Sequence, residues 1–457
     1  MPCPNIDAAA LSSHLPATAM PETKAPPAEC DVLIVGGGPA GATLAALLAR
    51  RGRDVTLVEK SRHPRFHIGE SLLPANVPLL QDLGLADDVA RIGMRKLGVE
   101  FVSPNHEAPS VVEFREAWNR SMPFAWHVRR SEFDELLFRH AGRLGARAIE
   151  GWRVERVDFD AAGALARVVG DNGSTQACRA RYVVDASGRD TLLAGQLGTK
   201  RRNRRHNSAA LYAHFTGARR LPEAREGHIS ILWFPHGWFW FIPLADGTTS
   251  VGAVCWPRYL KSRTKPLPEF FRDTVALCPA LHDRLKDAEL VEGRIHATGN
   301  YAYASSRCTG PRWAMIGDAY AFIDPVFSSG VFLAMKSAYA AVDLVETTLD
   351  RPREAARARR RFEALAQHGP RQFSWFIYRV TNPTMREFFM TPGNPMRLKE
   401  ALLSLLAGDI YGDTPIWPTL KLMKVLYYLV SALHPGRTWR AWRRRRADIR
   451  DVGVIAP

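Results

Sequence analysis

Near the start of the chain, one group of residues has the types and spacing that suit phosphate binding. A G-x-G-x-x-G spacing is formed by Gly36, Gly37, Gly38, Pro39, Ala40 and Gly41. Such glycines permit a tight turn, close approach of a pyrophosphate and close packing of a helix on a strand. A helix that begins at this turn points unpaired N–H groups and its positive dipole end at the phosphate. The spacing therefore predicts a dinucleotide-binding turn.

The segments around the glycines come in the order that this chemistry requires. Residues 31–36 are a short apolar run that predicts a buried strand, residues 42–50 predict a helix, and residues 54–59 predict a second strand. The second strand ends in Glu59, whose carboxylate is suited to ribose hydroxyls, and Lys60 follows it. The four features in register predict a nucleotide-binding fold but leave NAD and FAD as alternatives.

A second chemically suggestive feature is a W-x-W-x-I-P segment at residues 238–243. On an extended strand the indoles of Trp238 and Trp240 point to the same face, because side chains alternate. Taken alone, the pair is typical of a buried aromatic strand. Its significance depends on the other motifs of the chain.

Composition and charge narrow the class of protein. The 457 residues are enough for two packed units, and 46% hydrophobic with 24% charged residues is typical of a soluble globular protein. The net charge of +16 predicts attraction to an acidic partner, of which an acyl carrier protein, anionic lipid and nucleic acid are the candidates. Basic blocks at residues 200–205, 359–361 and 443–446 fit a solvated face equally well. Nucleic acid is disfavoured because no binding signature accompanies them.

The cysteines and the termini add expectations about location. Six scattered cysteines without C-x-x-C or clustered histidines predict no metal site and no disulfide framework, which fits a reduced, cytoplasmic setting. Residues 1–29 predict a disordered leader, and no apolar run is long enough to span a membrane. Residues 420–433, followed by Trp439, Trp442 and the arginine block, predict either a docked helix with a basic tail or a helix lying on the inner membrane face.

Three further motifs resemble the single-component flavin monooxygenases. They are an R-x-x-(L/F)-x-x-x-L segment from Arg130, a D-A-S-G turn from Asp185 to Gly188, and a G-D-A…P segment with Asp318 and Pro325. In that superfamily these segments surround the flavin, so the resemblance decides for FAD over NAD. The fold it implies is α/β, with a Rossmann-like FAD-binding domain interleaved with a β-sheet substrate domain, plus a C-terminal helical region.

Within that superfamily the chain resembles the flavin-dependent halogenases. The resemblance rests on W-x-W-x-I-P, on G-E-S-L-L-P at residues 69–74 and on D-P-V-F-S-S-G-V at residues 324–331. It implies that Trp238 and Trp240 keep organic substrate from the flavin and that a turn binds chloride or bromide. The residues of that turn are Ser328, Ser329 and Gly330. Phe327 is typical of the phenol and pyrrole branch, whereas the tryptophan branch has an acidic residue there.

A lysine carries the oxidised halogen to the substrate in this family. The tryptophan-type position is Pro78 here, whereas the phenol-type K-x-G-x-x-F pattern is present at residues 96–101. We therefore expect Lys96 to be catalytic, with an ordinary lysine at a strand start as the alternative. Glu70 is a further candidate, as a partner in the channel or of the flavin.

The resemblance implies a domain plan and a reaction. The FAD-binding and substrate domains would occupy residues 30–345, with the substrate sheet at about 95–130 and 205–300, followed by helices to residue 435 and a basic tail over 436–457. The reaction would halogenate an electron-rich aromatic compound of pigment or secondary-metabolite biosynthesis, free or tethered to an acyl carrier protein. Since the chain has no second nucleotide fingerprint, a separate flavin reductase would supply reduced FAD. The alternatives are a flavin hydroxylase or reductase on a polyketide or lipid-like substrate, and an inactive flavoprotein partner.

Overall fold

The computed structural model describes residues 25–203, 206–299, 302–390 and 394–449. Residues 1–24 of the predicted leader, 204–205 of a basic block and 450–457 of the predicted tail lie outside the described residues. In chain order the strands are β1 (Glu29–Val35), β2 (Val55–Glu59), β3 (Gly93–Lys96), β4 (Gly98–Val102), β5 (Ser110–Glu113), β6 (Ala125–Val128), β7 (Arg147–Glu150), β8 (Trp152–Phe159), β9 (Ala164–Gly170), β10 (Thr175–Asp185), β11 (Lys200–Arg202), β12 (Ala209–Thr216), β13 (Ile229–Phe234), β14 (Gly237–Pro243), β15 (Thr249–Cys255), β16 (Glu289–Leu290), β17 (His296–Thr298), β18 (Tyr303–Ser305), β19 (Thr309–Gly310), β20 (Trp313–Met315) and β21 (Ala321–Phe322). The helices are α1 (Pro39–Ala49), α2 (Asn76–Asp82), α3 (Ala86–Ile92), α4 (Arg130–Arg143), α5 (Leu192–Gln196), α6 (Pro257–Lys261), α7 (Leu267–Ala276), α8 (Pro279–Arg284), α9 (Gly330–Asp350), α10 (Ala355–Ile377), α11 (Pro383–Met390), α12 (Leu398–Ala407), α13 (Ile416–Leu433) and α14 (Pro435–Ile449).

The first sheet carries the predicted nucleotide-binding turn. Its strand order is β19-β20-β10-β1-β2-β7, with β20, β10, β1, β2 and β7 parallel. The strands β1 and β2 are almost entirely buried, as expected for parallel strands covered on both faces. From β1 the chain passes through α1 to β2 on one side, while β10 pairs with β1 on the other. Ligands of such folds bind where the strand order reverses, at the carboxyl ends of the strands.

The second sheet is mostly antiparallel and has the order β16-β12-β15-β14-β13-β4-β5. Alternation along β14 sends Trp238, Trp240 and Ile242 into one hydrophobic cluster and Phe239 and Phe241 into another on the opposite face. The sheet is therefore buried on both sides. Its strands fall at residues 98–113 and 209–298, between segments of the first sheet, so the two units interleave in sequence.

Helices complete the fold after the second sheet. α9 packs on α1 and α10, and the domain boundary expected near residue 345 falls inside α9. Residues 436–449, expected to belong to a basic tail, lie in α14, which contacts α13 and α6. Within the described ranges, a helix with the length and hydropathy needed to cross a bilayer is absent. The α/β class predicted from the sequence is confirmed by this architecture.

Candidate functional site

A cavity of about 400 Å³ opens at the carboxyl ends of β1 and β10 and reaches the face of the second sheet. It gathers most of the residues singled out in the sequence. Those lining it are Gly36, Gly38, Pro39, Ala40, Glu59, Lys60, Glu70, Arg130, Gly188, Trp238, Trp240, Asp318, Pro325, Ser328 and Gly330. Those that do not line it are Gly41, Lys96, Asp185 and Ser329.

The glycine turn is held by contacts that leave no room for side chains. Gly36 has φ +105°, and a Cβ atom there would lie 2.3 Å from the Ala186 carbonyl oxygen. A Cβ atom on Gly41 would lie 1.9 Å from the Gly36 carbonyl oxygen, so Gly41 serves helix packing rather than the cavity wall. Glu59 accepts a hydrogen bond from the Gly37 N–H at 2.8 Å and fixes the turn to the end of β2. These contacts shape a backbone cradle at the N-terminus of α1.

Asp185 lies beneath the second glycine turn and has a structural environment. Its carboxylate is fully buried and accepts hydrogen bonds from the N–H groups of Ser187 at 2.9 Å and Leu193 at 2.7 Å. Burial raises the pKa of Asp185, and these hydrogen bonds oppose that rise. The turn that Asp185 supports brings Gly188 to the cavity.

Arg130 is a buried cation with a matched partner. Its Nε and Nη2 donate to the two carboxylate oxygens of Asp134 at 2.8 and 3.0 Å, and its Nη1 donates to the Ile68 carbonyl at 3.0 Å. Burial by itself would raise the pKa of Asp134, but the neighbouring Arg130 holds it below the ordinary value. Arg130 thereby anchors the segment that leads into Gly69 and Glu70.

Two further groups of the cavity wall carry charge. Asp318 has no hydrogen bond or ion pair to its carboxylate among the described residues, and burial raises its pKa to about 6. A carboxyl group in that setting is ready to bond hydroxyl groups of a ligand. At the mouth of the cavity Lys60 pairs with Asp190, and both side chains are exposed.

Glu70 has a partner that the sequence did not indicate. His214, on β12, lies with its Nε2 2.5 Å from Glu70 Oε1, and both side chains are buried. The second oxygen of Glu70 is buried without a hydrogen bond. The pair joins the segment of Glu70 to the second sheet across 144 residues of sequence. The only sequence signal for His214 is an inward-facing polar residue on an otherwise apolar strand.

Trp238 and Trp240 form the aromatic wall of the cavity. Their ring centroids are 6.1 Å apart, and Trp240 Nε1 donates to Ser250 Oγ at 3.1 Å. Gly252 on the neighbouring strand makes room for the second indole, because a Cβ atom there would lie 2.2 Å from the Trp240 ring. The wall is therefore fixed in place by its neighbours.

The loop of residues 324–330 closes the cavity on another side. Ser328 adopts a left-handed conformation with φ 55°, and α9 begins at Gly330. Ser328 and Gly330 reach the cavity, whereas Ser329 is buried behind it. The start of this 21-residue helix presents N–H groups and a positive dipole end to that side of the cavity.

Lys96 does not line the cavity itself. Its side chain is 2% exposed, and its Nζ donates to Ser71 Oγ at 2.9 Å and to the Leu72 carbonyl at 3.1 Å. Ser71 itself lines the cavity. No carboxylate pairs with Lys96 among the described residues, and burial lowers its pKa to about 7. Ser71 thus links Lys96 to the cavity, and the sequence analysis did not assign it that role.

The geometry fits FAD. The glycine cradle at the N-terminus of α1 suits a pyrophosphate, and Glu59 at the end of β2 suits a ribose. The unpaired carboxyl group of Asp318 suits the hydroxyls of a ribityl chain. The aromatic wall and the loop of residues 324–330 then leave space for a flavin ring between them.

Comparison with known proteins agrees with this geometry. Residues 29–351 match the family model described as an FAD binding domain. The Tryptophan 2-halogenase of Chondromyces crocatus is 36% identical over 334 residues, which cover 71% of this chain and 62% of that protein. The chain therefore spans less than two thirds of the length of that relative.

Two other proteins align over nearly the whole chain. The 1H-pyrrole-2-carbonyl-(peptidyl-carrier protein) chlorinase of Pseudomonas fluorescens is 30% identical, and the alignment covers 90% of this chain and 96% of that protein. The solved structure of the myxobacterial chondrochloren halogenase, described as a variant of FAD-dependent halogenases, superposes with a TM-score of 0.75 at 32% identity. That superposition covers 86% of this chain and 92% of the halogenase.

Proposed function

Because the chain belongs to the flavin-dependent halogenases, we propose that it halogenates an electron-rich aromatic ring of the phenol or pyrrole type with chloride or bromide. When bound, reduced FAD with dioxygen supplies the oxidising equivalents that turn halide into hypohalous acid. The chain's own residues then have to hold the halide, keep the aromatic substrate away and deliver the halogen.

The observation that carries the proposal is the position of Lys96. A buried lysine without a carboxylate partner is unfavourable for folding, so a purely structural role gives no reason to keep one. Lys96 is linked by Ser71 to the cavity that holds the other candidate residues. This arrangement suits a lysine that receives a small reagent from the cavity and is shielded from bulk water.

Two roles of Lys96 are compatible with its pKa of about 7. As a neutral amine it attacks the halogen of hypohalous acid, so that an N–halogen bond forms, the halogen–oxygen bond breaks and water leaves. The aromatic ring then takes the halogen, loses a proton and returns the amine. As an ammonium it donates a hydrogen bond that orients hypohalous acid toward the ring.

The other residues divide the cavity between halide and substrate. Trp238 and Trp240 form a rigid wall that excludes an aromatic substrate from the flavin side of the cavity. Gly330, at the start of α9, offers a backbone N–H group to an anion. Ser328 lines the same side of the cavity, with its own N–H donated to the Pro325 carbonyl at 2.8 Å. Glu70, buried with His214, is positioned to exchange a proton at the same cavity.

The test is a turnover assay with FAD, a flavin reductase, NADH, bromide or chloride, and phenol and pyrrole acceptors that are free or bound to a carrier protein. Wild type and the neighbouring control Arg95→Met, which removes an exposed positive charge, should give products with a halogen isotope pattern. Lys96→Met should not. A product heavier by one oxygen would support a hydroxylase instead, and peroxide release alone would support an inactive flavoprotein.

For partners, we propose a separate flavin reductase and an acidic carrier protein that bears the substrate. The Pseudomonas relative is named for a peptidyl-carrier-bound pyrrole substrate, and this chain exposes arginines at residues 201–202, 360–361 and 443–444. Association through these arginines should weaken as ionic strength rises. The carrier-protein proposal would be contradicted if no carrier protein bound at low salt, or if the binding did not change with salt.

A second partner hypothesis is an anionic membrane surface. On α13 the side chains of Val425, Leu429 and Leu433 are 52 to 76% exposed at helical spacing, and Trp439 and Trp442 are exposed on α14. Exposed apolar residues beside arginines suit the interface of an anionic bilayer. Sedimentation with vesicles containing phosphatidylglycerol, but not with neutral vesicles, would support it, and Leu429→Ser should then reduce binding.

A further inference from the structure

One arginine of α14 points into the protein while its neighbours point outward. Arg445 Nη2 donates to His206 Nδ1 at 3.1 Å, and His206 Nε2 lies 3.0 Å from Asp324 Oδ2. Ser208 Oγ also donates to Asp324 Oδ2, at 2.8 Å. His206 and Asp324 are almost fully buried. A chain of hydrogen bonds therefore runs from the last described helix to the first residue of the 324–330 loop.

The direction of these hydrogen bonds is fixed by chemistry. A guanidinium group can only donate, so His206 Nδ1 must accept, and the proton of a neutral imidazole is on Nε2. That N–H donates to Asp324. The other carboxylate oxygen of Asp324 accepts from the Val326 N–H at 3.3 Å. The side chain of Asp324 thus transmits the position of His206 to the backbone of the loop.

The same cluster lies behind the aromatic wall. His206, Ser208, Asp324 and Trp238 all line one small cavity of about 10 Å³. His206 is also stacked on Tyr378, with ring centroids 4.7 Å apart. A space of this size holds at most about one water molecule. The cluster therefore backs both the loop and the first tryptophan of the wall.

We propose that Arg445 is a positioning residue that acts through His206 and Asp324 to hold the 324–330 loop in its halide-binding form. The proposal rests on the proposed function for the identity of the anion, but not for the mechanical link. The neighbouring arginines have other surroundings, since Arg443 and Arg446 lie exposed over the rings of Trp439 and Trp442. Of these arginines, only Arg445 contacts His206 and, through it, Asp324.

The test compares Arg445→Met with Arg440→Met, which removes the same charge from an exposed position of the same helix. Arg445→Met should raise the KM for bromide about tenfold with a smaller change in kcat, because a buried hydrogen bond behind the loop is lost. FAD affinity should stay within about twofold, because the residues of the glycine cradle are untouched. His206→Phe should give the same split, and Arg445→Lys should restore part of the bromide affinity.

A second readout does not depend on turnover. In the protein without FAD, amide hydrogen exchange of a peptide covering residues 324–331 should become at least about tenfold faster in Arg445→Met and unchanged in Arg440→Met. Equal exchange in the two variants would overturn the proposal, as would a loss of bromide affinity in both. If wild type makes no halogenated product but exchange still accelerates only in Arg445→Met, the proposed function fails and the link stands.

Discussion

Arg130 and Lys96 are two buried cations that hold the same short segment from opposite ends. Arg130 donates to the carbonyls of Ile68 and Gly69, and Lys96 donates to Ser71 and the Leu72 carbonyl. Arg130 also makes a two-pronged ion pair with Asp134. Among the described residues Lys96 has no such partner. Arg130 is neutralised by the Asp134 carboxylate, whereas Lys96 donates to acceptors that carry no charge.

The difference separates a scaffold from a reactive group. A bidentate arginine–carboxylate pair fixes geometry and keeps both groups charged. A lysine buried without a carboxylate keeps a low pKa and is therefore available as a neutral amine. The segment of residues 68–72 is thus held by one rigid anchor and presents one group whose protonation state can change.

Lys96→Met should have the largest effect on stability, because it removes a buried ionisable group that has no carboxylate partner among the described residues. We expect the free energy of unfolding to rise by about 4 kcal/mol at pH 7, since a shift from 10.5 to about 7 corresponds to that cost. Urea unfolding of the protein without FAD measures it. Arg95→Met, next in sequence and exposed, should change stability by less than about 0.5 kcal/mol.

Arg130→Met should have the opposite sign. It leaves the buried Asp134 with Arg65 as its remaining cation, at 3.2 Å, so we expect a loss of about 3 kcal/mol in the same unfolding experiment. FAD affinity should fall as well, because the anchor of residues 68–69 is lost. Arg143→Met, exposed on the same helix, is the control. A stabilising effect of Arg130→Met would erase the distinction between the two cations.

The stability gap between Lys96→Met and wild type should depend on pH. The unfolded lysine has a pKa near 10.5 and the folded one about 7, so between these values the unfolded state binds more protons and wild-type stability rises with pH. The gap should shrink from about 4 kcal/mol at pH 7 to about 2 kcal/mol at pH 9. A gap that is constant with pH would mean that Lys96 is charged in the folded protein.

Ser71→Ala should give the smallest effect and show how Lys96 is held. Loss of its side-chain acceptor should destabilise wild type by about 1 kcal/mol. In the Lys96→Met background the same substitution should be close to neutral, because the partner is already absent. Equal effects in the two backgrounds would show that Ser71 supports something other than Lys96.

The sequence predicted the parts of the site that local motifs encode. The glycine turn, Glu59 and the alternation of the W-x-W strand depend on neighbouring residues, and the structure places them at the cavity. The class of fold and the family followed from the same motifs and are confirmed. The roles of the site residues stay predictions.

What the sequence did not reveal depends on contacts between distant segments. His214 meets Glu70 across 144 residues, and Arg445 meets His206 across 239. A polar residue on a strand and one arginine within a basic block give no indication of such partners. Asp185 shows the converse, because a motif position that pointed to the cofactor is occupied by a carboxylate that bonds its own turn.

The parallel pairing of β4 with β13 sets a limit on when the protein can mature during synthesis. It joins residues 99–102 to residues 229–232, and the first sheet needs β20 at residues 313–315 beside β10. The cavity also needs Gly330 and Ala334 from α9. A nascent chain must therefore extend past α9 before the cofactor has a complete site. Until then its early strands lack their long-range partners, so cofactor binding is a late step in the maturation of the protein.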